Sequence, residues 1–480
     1  MRTLLQVLSE DELAQVHERS LSILAKTGVR VDTAQGRRFL ADAGAEVDEA
    51  TRIVRFPRAL VEESLRLAPK EFILGARRPD WDLKMNGGDC TLLIDAEAIF
   101  VLDRETWERR LGTHLDWLEA TRLIDAVDEV GVYWTMIYEQ GEARDTIADW
   151  IIYWRELFAN FSKHTQDIID GPREAPWLLE VLQVIFGDRE TIRRKHPISY
   201  LLCPQSPLVL EGPFTDAYLA LLGWDIPVAV MPMPLMGASA PGSLLSTILL
   251  GNCEVLATLC LVQAAAPGTP VIYGPALAVI DPRSGRYSGG SIEEGLLGVA
   301  ATEMARYYGL PVEASGFGSD HHVPDIQSAY ERAMISLMVS LSWPDILVGP
   351  GLLGSSMNLC LEQLVIDVEI FRMARRAREG ILASPETWLD DVISQIGPSG
   401  NFLAEKSTVE GIRKGRWYIS DFGVHEPFEN WDAAGRPTTM DIAYDRVVEI
   451  LEAHHPLPLT EEMERELDHI QKRAQERSEG

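Results

Sequence analysis

The chain has 480 residues, 46% of them hydrophobic, so it can bury a full core and is long enough for a large barrel or for two or three domains. Its 73 acidic and 44 basic residues give a net charge of −29, which argues against nucleic acid or an anionic membrane surface as a partner. The five cysteines form no CxxC pair, and the first residues lack the apolar segment of a secretion signal. The longest apolar stretch, 243–266, contains polar side chains typical of a core helix. These features predict a cytoplasmic protein.

Residues 1–128 predict an extension of helices followed by a β-meander. Ser9 and Glu12 have the spacing of a capping box, and the apolar periodicity that follows ends at Gly28. Further helices are predicted over 33–42, 57–68 and 114–127, and short alternating runs over 80–111 favour the meander. We expect this extension to pack on the domain that follows it.

Residues 129–455 alternate apolar runs with long amphipathic stretches, which is typical of repeated βα units. The pattern predicts an α/β fold, a (β/α)8 TIM barrel, with a doubly wound open sheet as the alternative. An eighth strand is expected within 380–425, and the charged residues of 456–480 predict a solvated terminal helix. The other seven strands are predicted at 131–137, 159–165, 198–204, 227–233, 270–276, 311–317 and 345–351.

Polar chemistry is concentrated in residues 311–331, read PVEASGFGSDHHVPDIQSAYE. An apolar run ends in a turn of small residues, which presents Asp320, His321 and His322, and apolar residues three and four apart then predict a helix. In a parallel α/β fold such a loop lies at the carboxyl ends of the strands, where small molecules bind. The alternative is a loop that only caps the next helix, a role that suits Asp325.

A metal or nucleotide site is not predicted. Asp320 and the two adjacent histidines could hold zinc, but adjacent histidines rarely reach one ion, and the sequence has no HxH or HExxH spacing. No GxGxxG or GxxxxGK[ST] motif follows a predicted strand, which argues against a nucleotide on a helix N-terminus.

Three long segments resemble one known family. They are the opening LSEDELAQVHERSLSILAKTGVRV with RFPRALVEESLRLAPKEFILGARRP, the run from IPVAVMPMPLMGASAPG to GTPVIYG, and GFGSDHHVPDIQSAYERA. Together they are similar to the trimethylamine:corrinoid methyltransferase superfamily (MttB-like) over nearly the whole chain. The resemblance implies a (β/α)8 barrel that moves a methyl group from a methylated amine to the cobalt of a corrinoid. That corrinoid is carried by a separate protein, so no tightly bound cofactor is expected in the isolated chain.

The resemblance also implies a set of catalytic residues. Founding members carry a pyrrolysine, O, in a pattern like DxOxxDxQxxxE, which Asp320, Asp325, Gln327 and Glu331 match, while His322 stands at the pyrrolysine position. Asp320, His322, Gln327 and Glu331 are therefore the expected catalytic residues. Members without pyrrolysine resemble demethylases of quaternary amines such as glycine betaine, proline betaine or carnitine, and this chain resembles that branch.

Two departures from the family pattern leave the amine open. A lysine is more familiar than a histidine at position 322, and the pair Ser407 and Thr408 stands where the family usually shows His-Thr. Both changes concern residues that the family pattern uses, so the substrate cannot be carried over from it.

A quaternary ammonium substrate needs no general acid, because loss of its methyl group releases a neutral amine. The protein has only to position the methyl group for transfer. Aromatic side chains would tolerate the cation, and a betaine carboxylate would need a positive counter-charge. Lys163 and His164 could equally pair with neighbouring acids, and each aromatic residue could belong to the core instead. The expected substrate-binding residues are Phe317, Trp134, Tyr138, Tyr273, Lys163, His164, His321 and Asp325.

The expected partners are a corrinoid protein and a small methylated amine, and base rates favour a homodimer. Two other functions remain open. The first is a non-catalytic binding or sensor protein for quaternary amines on the same barrel. The second is direct methyl transfer to a folate or a thiol without a corrinoid.

Overall fold

The amino-terminal residues form helices and short antiparallel strands. The structure, a computed structural model, describes residues 5–104, 106–137, 146–420 and 422–478. Ser9 and Glu12 form the predicted capping box, and Thr33 and Pro57 precede the next two helices as expected. The elements of this extension are α1 (Glu10–Lys26), β1 (Val29–Val31), α2 (Ala34–Asp42), β2 (Glu46–Asp48), β3 (Ile53–Arg55), α3 (Arg58–Leu67), β4 (Phe72–Leu74) and β5 (Leu83–Met85).

The chain then alternates strands and helices, because apolar strand segments are separated by amphipathic stretches that begin at capping residues such as Thr113, Thr146 and Ser243. In chain order these elements are β6 (Thr91–Leu93), β7 (Phe100–Leu102), β8 (Arg109–Leu111), α4 (His114–Ala126), β9 (Val130–Tyr133), α5 (Ile147–Asn160), β10 (His164–Asp167), α6 (Ala175–Phe186), α7 (Arg189–Lys195), β11 (Ile198–Leu202), β12 (Val209–Leu210), α8 (Gly212–Leu219), β13 (Val228–Val230), β14 (Leu235–Met236), α9 (Leu244–Ala265), β15 (Val271–Tyr273), β16 (Ala278–Ile280), β17 (Tyr287–Ser288), α10 (Ile292–Tyr308), β18 (Glu313–Ser315), α11 (Ile326–Ser342), β19 (Ile346–Val348), β20 (Leu352–Leu353), β21 (Asn358–Leu359) and α12 (Leu361–Glu379).

Eight parallel strands close into a barrel. Strands β6, β9, β10, β11, β13 and β15 pair in chain order, and β18 pairs with β19, which pairs back with β6. The remaining gap between β15 and β18 is bridged at Tyr273 and Val312. This closure confirms the predicted TIM barrel and excludes the open sheet.

The prediction for the eighth strand is wrong. Strand β6, Thr91–Leu93, lies inside the predicted 1–128 extension, yet it pairs with both β9 and β19 of the barrel. The described part of 380–425 contributes no barrel strand. Because β6 is followed by a true hairpin of β7 and β8, its alternation was indistinguishable in sequence from the hairpin's own.

Helix α9 is a core helix, as predicted. By length and composition it could cross a membrane, and it is the single such helix in the described ranges. Helices α1, α2 and α3 pack against it, and Asn252 donates hydrogen bonds to Ser20 and to the Tyr308 hydroxyl. The helix therefore joins the extension to the barrel.

The carboxyl-terminal helix is not solvated on all sides, which corrects the prediction for 456–480. Its residues Leu467, Ile470 and Ala474 are buried against α5 and α6. They recur three and four positions apart, so one apolar stripe was hidden among many charged residues. The elements after α12 are α13 (Asp390–Ile396), α14 (Lys406–Arg413), α15 (Phe428–Ala433), α16 (Thr439–Ala453) and α17 (Glu461–Ser478).

Helix α11 turns part of its apolar stripe away from the protein. Ile326, Tyr330 and Met334, four residues apart, are 84%, 55% and 53% exposed. The side chains buried on the opposite face include Glu331 and Arg332. The face of this helix that packs on the barrel therefore mixes polar side chains with the apolar Ile335 and Val339, whereas a second apolar stripe faces solvent.

Candidate active site

A cavity of about 490 Å³ lies at the carboxyl ends of the barrel strands. Every barrel strand contributes a lining residue from its last position or from the residues just after it, which is where TIM barrels hold their active sites. The lining residues are Asp95, Ala96, Glu97, Trp134, Ile168, Leu201, Cys203, Met231, Met233, Leu235, Ala276, Leu277, Ala278, Tyr287, Glu294, Ser315, Val348, Ser355 and Ser356.

One part of the cavity wall is acidic. Asp95 follows β6 and accepts hydrogen bonds from Ser356 Oγ at 2.5 Å and from the backbone N–H of Ala96 at 2.9 Å. Glu294, in the first turn of α10, accepts a hydrogen bond from the Tyr287 hydroxyl at 3.3 Å. These contacts fix two carboxyl groups at the cavity.

Both carboxyl groups are held toward their neutral forms. Burial raises the pKa of Glu294 well above its usual range, and the negative charge of Asp95 raises it further. Removal from bulk water also raises the pKa of Asp95, and this effect outweighs the lowering of the pKa by the hydrogen bond from Ser356. A cation entering the cavity would reverse this effect, because it stabilises the ionised carboxylates.

The other part of the wall is apolar. Strands β10, β11 and β13 contribute Ile168, Leu201 and Met231, together with the Cys203 thiol. Burial raises the pKa of Cys203 to about 12, so this thiol stays protonated and is a poor nucleophile. Trp134 adds an aromatic ring, and no described residue accepts a hydrogen bond from its buried indole N–H.

The loop after β18 is held by a network around Glu331. Glu331 Oε2 accepts hydrogen bonds from Ser319 Oγ at 2.8 Å and from the Asp320 N–H at 3.0 Å, and its Oε1 accepts one from Gln327 Nε2 at 2.8 Å. Asp320 accepts further bonds from Ser288 Oγ at 2.5 Å and from Ser355 Oγ at 3.0 Å. Three predicted site residues, Asp320, Gln327 and Glu331, are thus brought together.

The network also reaches the cavity wall. Ser355, which donates to Asp320, lines the cavity beside Ser356, the donor to Asp95. Asp320 is therefore one hydrogen-bonded residue removed from the cavity, rather than a lining residue itself.

The two histidines do not line the cavity. His321 Nδ1 lies 2.8 Å from the Val323 carbonyl and 3.2 Å from Asp325 Oδ1. His322 is exposed, and its ring stands so close to Gly354 that a Cβ there would lie 2.7 Å from Nδ1. Neither histidine is among the residues that line the cavity, and their part in the reaction stays a prediction.

Asp325 is the N-cap of α11. Its carboxylate accepts hydrogen bonds from the N–H groups of Gln327 and Ser328 at 2.8 and 3.1 Å. The match of Asp325 to the family pattern therefore has a structural basis in helix capping.

Lys163 and His164 lie at the opposite end of the barrel from the cavity, because β10 begins at His164 instead of ending there. The Lys163 ammonium donates to the carbonyls of Ile124, Val127 and Val130, and burial lowers its pKa to about 8. His164 is bonded to the Gly75 carbonyl and to Ser199 Oγ, and burial lowers its pKa to about 3. Neither can neutralise a substrate carboxylate, and the predicted ion pairs with strand-end acids are absent among the described residues.

Two of the predicted aromatic residues belong to the core. Phe317 is fully buried, and the Tyr273 hydroxyl donates to Asn252 of α9 at 3.0 Å, so its ring points into the helix layer. Tyr138 lies outside the described residues. Of the four aromatic candidates, Trp134 is the one that the structure places at the cavity.

Sequence reasoning missed Asp95, Tyr287 and Glu294. The signal for Asp95 is an acid directly after the apolar run TLLI, the same pattern that Asp320 shows, but the alternation of this run also fits the meander predicted over 80–111. Glu294 sits in a helix start, IEEG, where acids are common for reasons of helix polarity alone. Within the described ranges, no group of three or more His, Cys, Asp or Glu side chains is arranged to hold a metal ion.

Comparison with known proteins identifies the family. The trimethylamine methyltransferase (MTTB) family matches residues 2–478. A trimethylamine methyltransferase of Desulfitobacterium hafniense strain DCB-2 is 29% identical over 95% of this chain and 91% of its own length. The glycine betaine methyltransferase of D. hafniense strain Y51 is 28% identical over 96% and 95% of the two chains. The solved Methanosarcina barkeri monomethylamine methyltransferase is 12% identical, covers 97% of this chain and 92% of its own, and has a TM-score of 0.46.

The match spans both the extension and the barrel, so it includes the strand ends that build the cavity. The chain belongs to the trimethylamine methyltransferase family and is a methyltransferase.

Proposed function

We propose that this protein moves a methyl group from a quaternary or tertiary methylated amine to the cobalt of a corrinoid held by a partner protein. The observation that carries the proposal is the cavity itself. Its wall combines the carboxyl groups of Asp95 and Glu294 with the aromatic rings of Trp134 and Tyr287, which suits a methylated ammonium cation. The trimethylamine and glycine betaine methyltransferases among its relatives support the same class of substrate.

The cavity reaches the protein surface, where a carrier protein can present its corrinoid. Glu97 and Met233 line the cavity and are exposed, Met233 to 51%. A corrinoid in the Co(I) state, presented there, supplies the electron pair that accepts the methyl group. The chain needs no internal pocket of its own for the corrinoid, in line with a cofactor that arrives on a partner.

The protein's own residues place the amine and stabilise its charge. Transfer breaks the N–CH3 bond and leaves its electron pair on nitrogen, so a quaternary substrate departs as a neutral amine without a general acid. Trp134 and the carboxyl groups of Asp95 and Glu294 hold the cation before transfer. As the positive charge is lost, these interactions weaken, which favours product release.

Asp320, Gln327 and Glu331 act as positioning residues in this proposal. Their network fixes Ser355, which contributes to the cavity wall. His322 stands at the rim, so any part it takes in the reaction concerns the approach of the corrinoid rather than the binding of the amine.

A Co(I) assay tests the function. The protein is added to reduced free corrinoid with a panel of methylated amines, and loss of the Co(I) absorbance is followed. We expect methylation with at least one amine, and at least a tenfold lower rate for Glu294→Gln than for the control Glu293→Gln. A His322→Ala variant with normal binding but lost transfer would support a catalytic role for His322.

The sensor hypothesis predicts the opposite result in that assay. Ligand would bind, as measured by calorimetry, but no amine of the panel would methylate the corrinoid. A folate or thiol acceptor would instead give demethylation in the absence of corrinoid, which product analysis of the same mixtures detects.

A second copy of this chain covers the exposed face of α11 in this proposal. The apolar stripe continues from Ile326 through Tyr330 and Met334 to the half-buried Leu337 and Leu341, so it runs along the side of the barrel and extends well beyond the mouth. A carrier docking over the mouth would cover its first turns alone. Side-by-side pairing of two barrels covers all of it, in a two-fold interface.

Light scattering tests the pairing. We expect a dimer for the native chain and a monomer for Tyr330→Asp, while Leu115→Asp, an equally exposed apolar position on α4, leaves the dimer intact. A native monomer would contradict the proposal.

A further inference from the structure

The cavity has an unbalanced charge. Three of its lining residues, Asp95, Glu97 and Glu294, carry carboxyl groups. Among all the described residues that line the cavity there is no lysine, arginine or histidine. Nearby Asp320 and Glu331 add two more carboxylates behind the wall. A substrate with a negative group would therefore find no cationic partner among the described residues that line the wall.

Three cationic side chains of the barrel are engaged elsewhere, and the exposed Arg286 and His322 do not line the cavity. Arg332 is fully buried and donates to Asp367 at 2.5 Å. His321 faces Asp325 and the Val323 carbonyl, and Lys163 lies at the far end of the barrel with three carbonyl partners. These side chains are not available as the bidentate or point-charge partner that a buried carboxylate requires.

A small ammonium ion has no substituent that could contact the apolar part of the wall. Met231, Leu235 and Leu277 line it together with Ile168 and Leu201. The cavity measures about 490 Å³ and is open to the surface. Trimethylammonium, a nitrogen with three methyl groups, would leave most of that apolar surface wet.

We propose that the substrate is a quaternary ammonium ion without a carboxylate, carrying an apolar or hydroxylated substituent in addition to its methyl groups. This inference rests on the proposed function and narrows its substrate class away from betaines. The ammonium group lies against Asp95, Glu294 and Trp134, and the substituent lies against the methionine and leucine side chains of the opposite wall.

Choline and glycine betaine make a matched test, because they differ in a hydroxymethyl group against a carboxylate at the same distance from nitrogen. By calorimetry on the native chain without corrinoid, we expect choline to bind at least tenfold more tightly than glycine betaine. The uncharged isostere 3,3-dimethylbutan-1-ol should bind at least tenfold more weakly than choline. Benzyltrimethylammonium should bind more tightly than tetramethylammonium, because its ring reaches the apolar wall.

Variants separate the contribution of charge from that of fold. Asp95→Asn should weaken choline binding at least fivefold and narrow the difference between choline and glycine betaine, whereas Glu293→Gln, which is not at the cavity, should change neither. Thermal unfolding of both variants confirms that they fold. Equal or tighter binding of glycine betaine to the native chain would overturn the inference, as would the absence of binding by every carboxylate-free ammonium ion.

The Co(I) assay then distinguishes the two levels of proposal. Methyl transfer from glycine betaine but not from choline would overturn the inference and leave the methyltransferase function in place. Tight choline binding without transfer to any corrinoid would support the inference on the ligand and contradict the proposed corrinoid reaction.

Discussion

Glu331 accepts a hydrogen bond from the backbone N–H of Asp320 at 3.0 Å, so the helix that follows the loop after β18 also holds that loop in place. The same carboxylate binds the Ser319 hydroxyl and the Gln327 amide, and it is 8% exposed. The family pattern that joins these residues in sequence thus corresponds to one hydrogen-bonded unit in space.

Removing this carboxylate should loosen the loop. Glu331→Ala leaves three donors without their acceptor, each worth about 1 kcal/mol or more when buried. We expect methyl transfer to fall at least tenfold and the free energy of unfolding to fall by about 2 to 4 kcal/mol. Glu331→Gln keeps one amide oxygen as acceptor, so its transfer rate and its stability should lie between those of the native chain and those of Glu331→Ala. Loss of stability without loss of transfer would contradict the positioning role.

Cation binding should strengthen as pH rises. Burial and the charge of Asp95 hold the pKa of Glu294 well above its usual range, so the free site carries a proton that a bound ammonium displaces. Affinity therefore increases with pH up to the pKa of the free site, and binding releases protons. Calorimetry in buffers of different ionisation enthalpy measures that release. In Glu294→Gln the proton release should be smaller, and an unchanged value would assign the proton to another group.

Glu313 should destabilise the protein as pH rises. Its side chain is buried beneath the cavity, where Gln166 Nε2 donates to one oxygen at 3.0 Å, and burial raises its pKa from 4.5 to about 8. Between these two values the unfolded chain has lost the proton that the folded chain retains, so stability falls with pH across that window. Denaturation by urea at pH 5 and pH 8 should show a loss of a few kcal/mol in the native chain. Glu313→Gln should lose less free energy of unfolding between pH 5 and pH 8. An equal loss in both proteins would contradict this account.

Lys163 should contribute to the stability of the fold and not to substrate binding. Lys163→Met removes the ammonium that donates to the carbonyls of Ile124, Val127 and Val130, although Ile124 and Val127 keep a backbone N–H donor. With a net loss of about 1 kcal/mol for each hydrogen bond removed, the free energy of unfolding should fall by about 2 kcal/mol. Amine affinity at a temperature where the variant is folded should stay within twofold of the native value. A larger change in affinity would return Lys163 to the substrate site.

The sequence by itself determined the elements whose signals are local. The Ser9 capping box, the helices that begin after Thr33 and Pro57, and seven of the eight barrel strands follow from side-chain periodicity and from capping within a few residues. The set of Asp320, Gln327 and Glu331 followed from the resemblance to the family pattern, and its members lie in one loop and the first two turns of one helix.

The tertiary structure alone decided which side chains meet across the barrel. Asp95 and Glu294 are almost two hundred positions apart and come together only because β6 closes the barrel, a pairing with β9 and β19 that no local pattern encodes. Strand β10 begins at His164, a few residues later than predicted. Lys163 and His164 therefore lie at the end of the barrel opposite the mouth, since the direction of a strand fixes which of its ends faces the cavity. Local periodicity specifies elements, whereas strand pairing and direction specify the site.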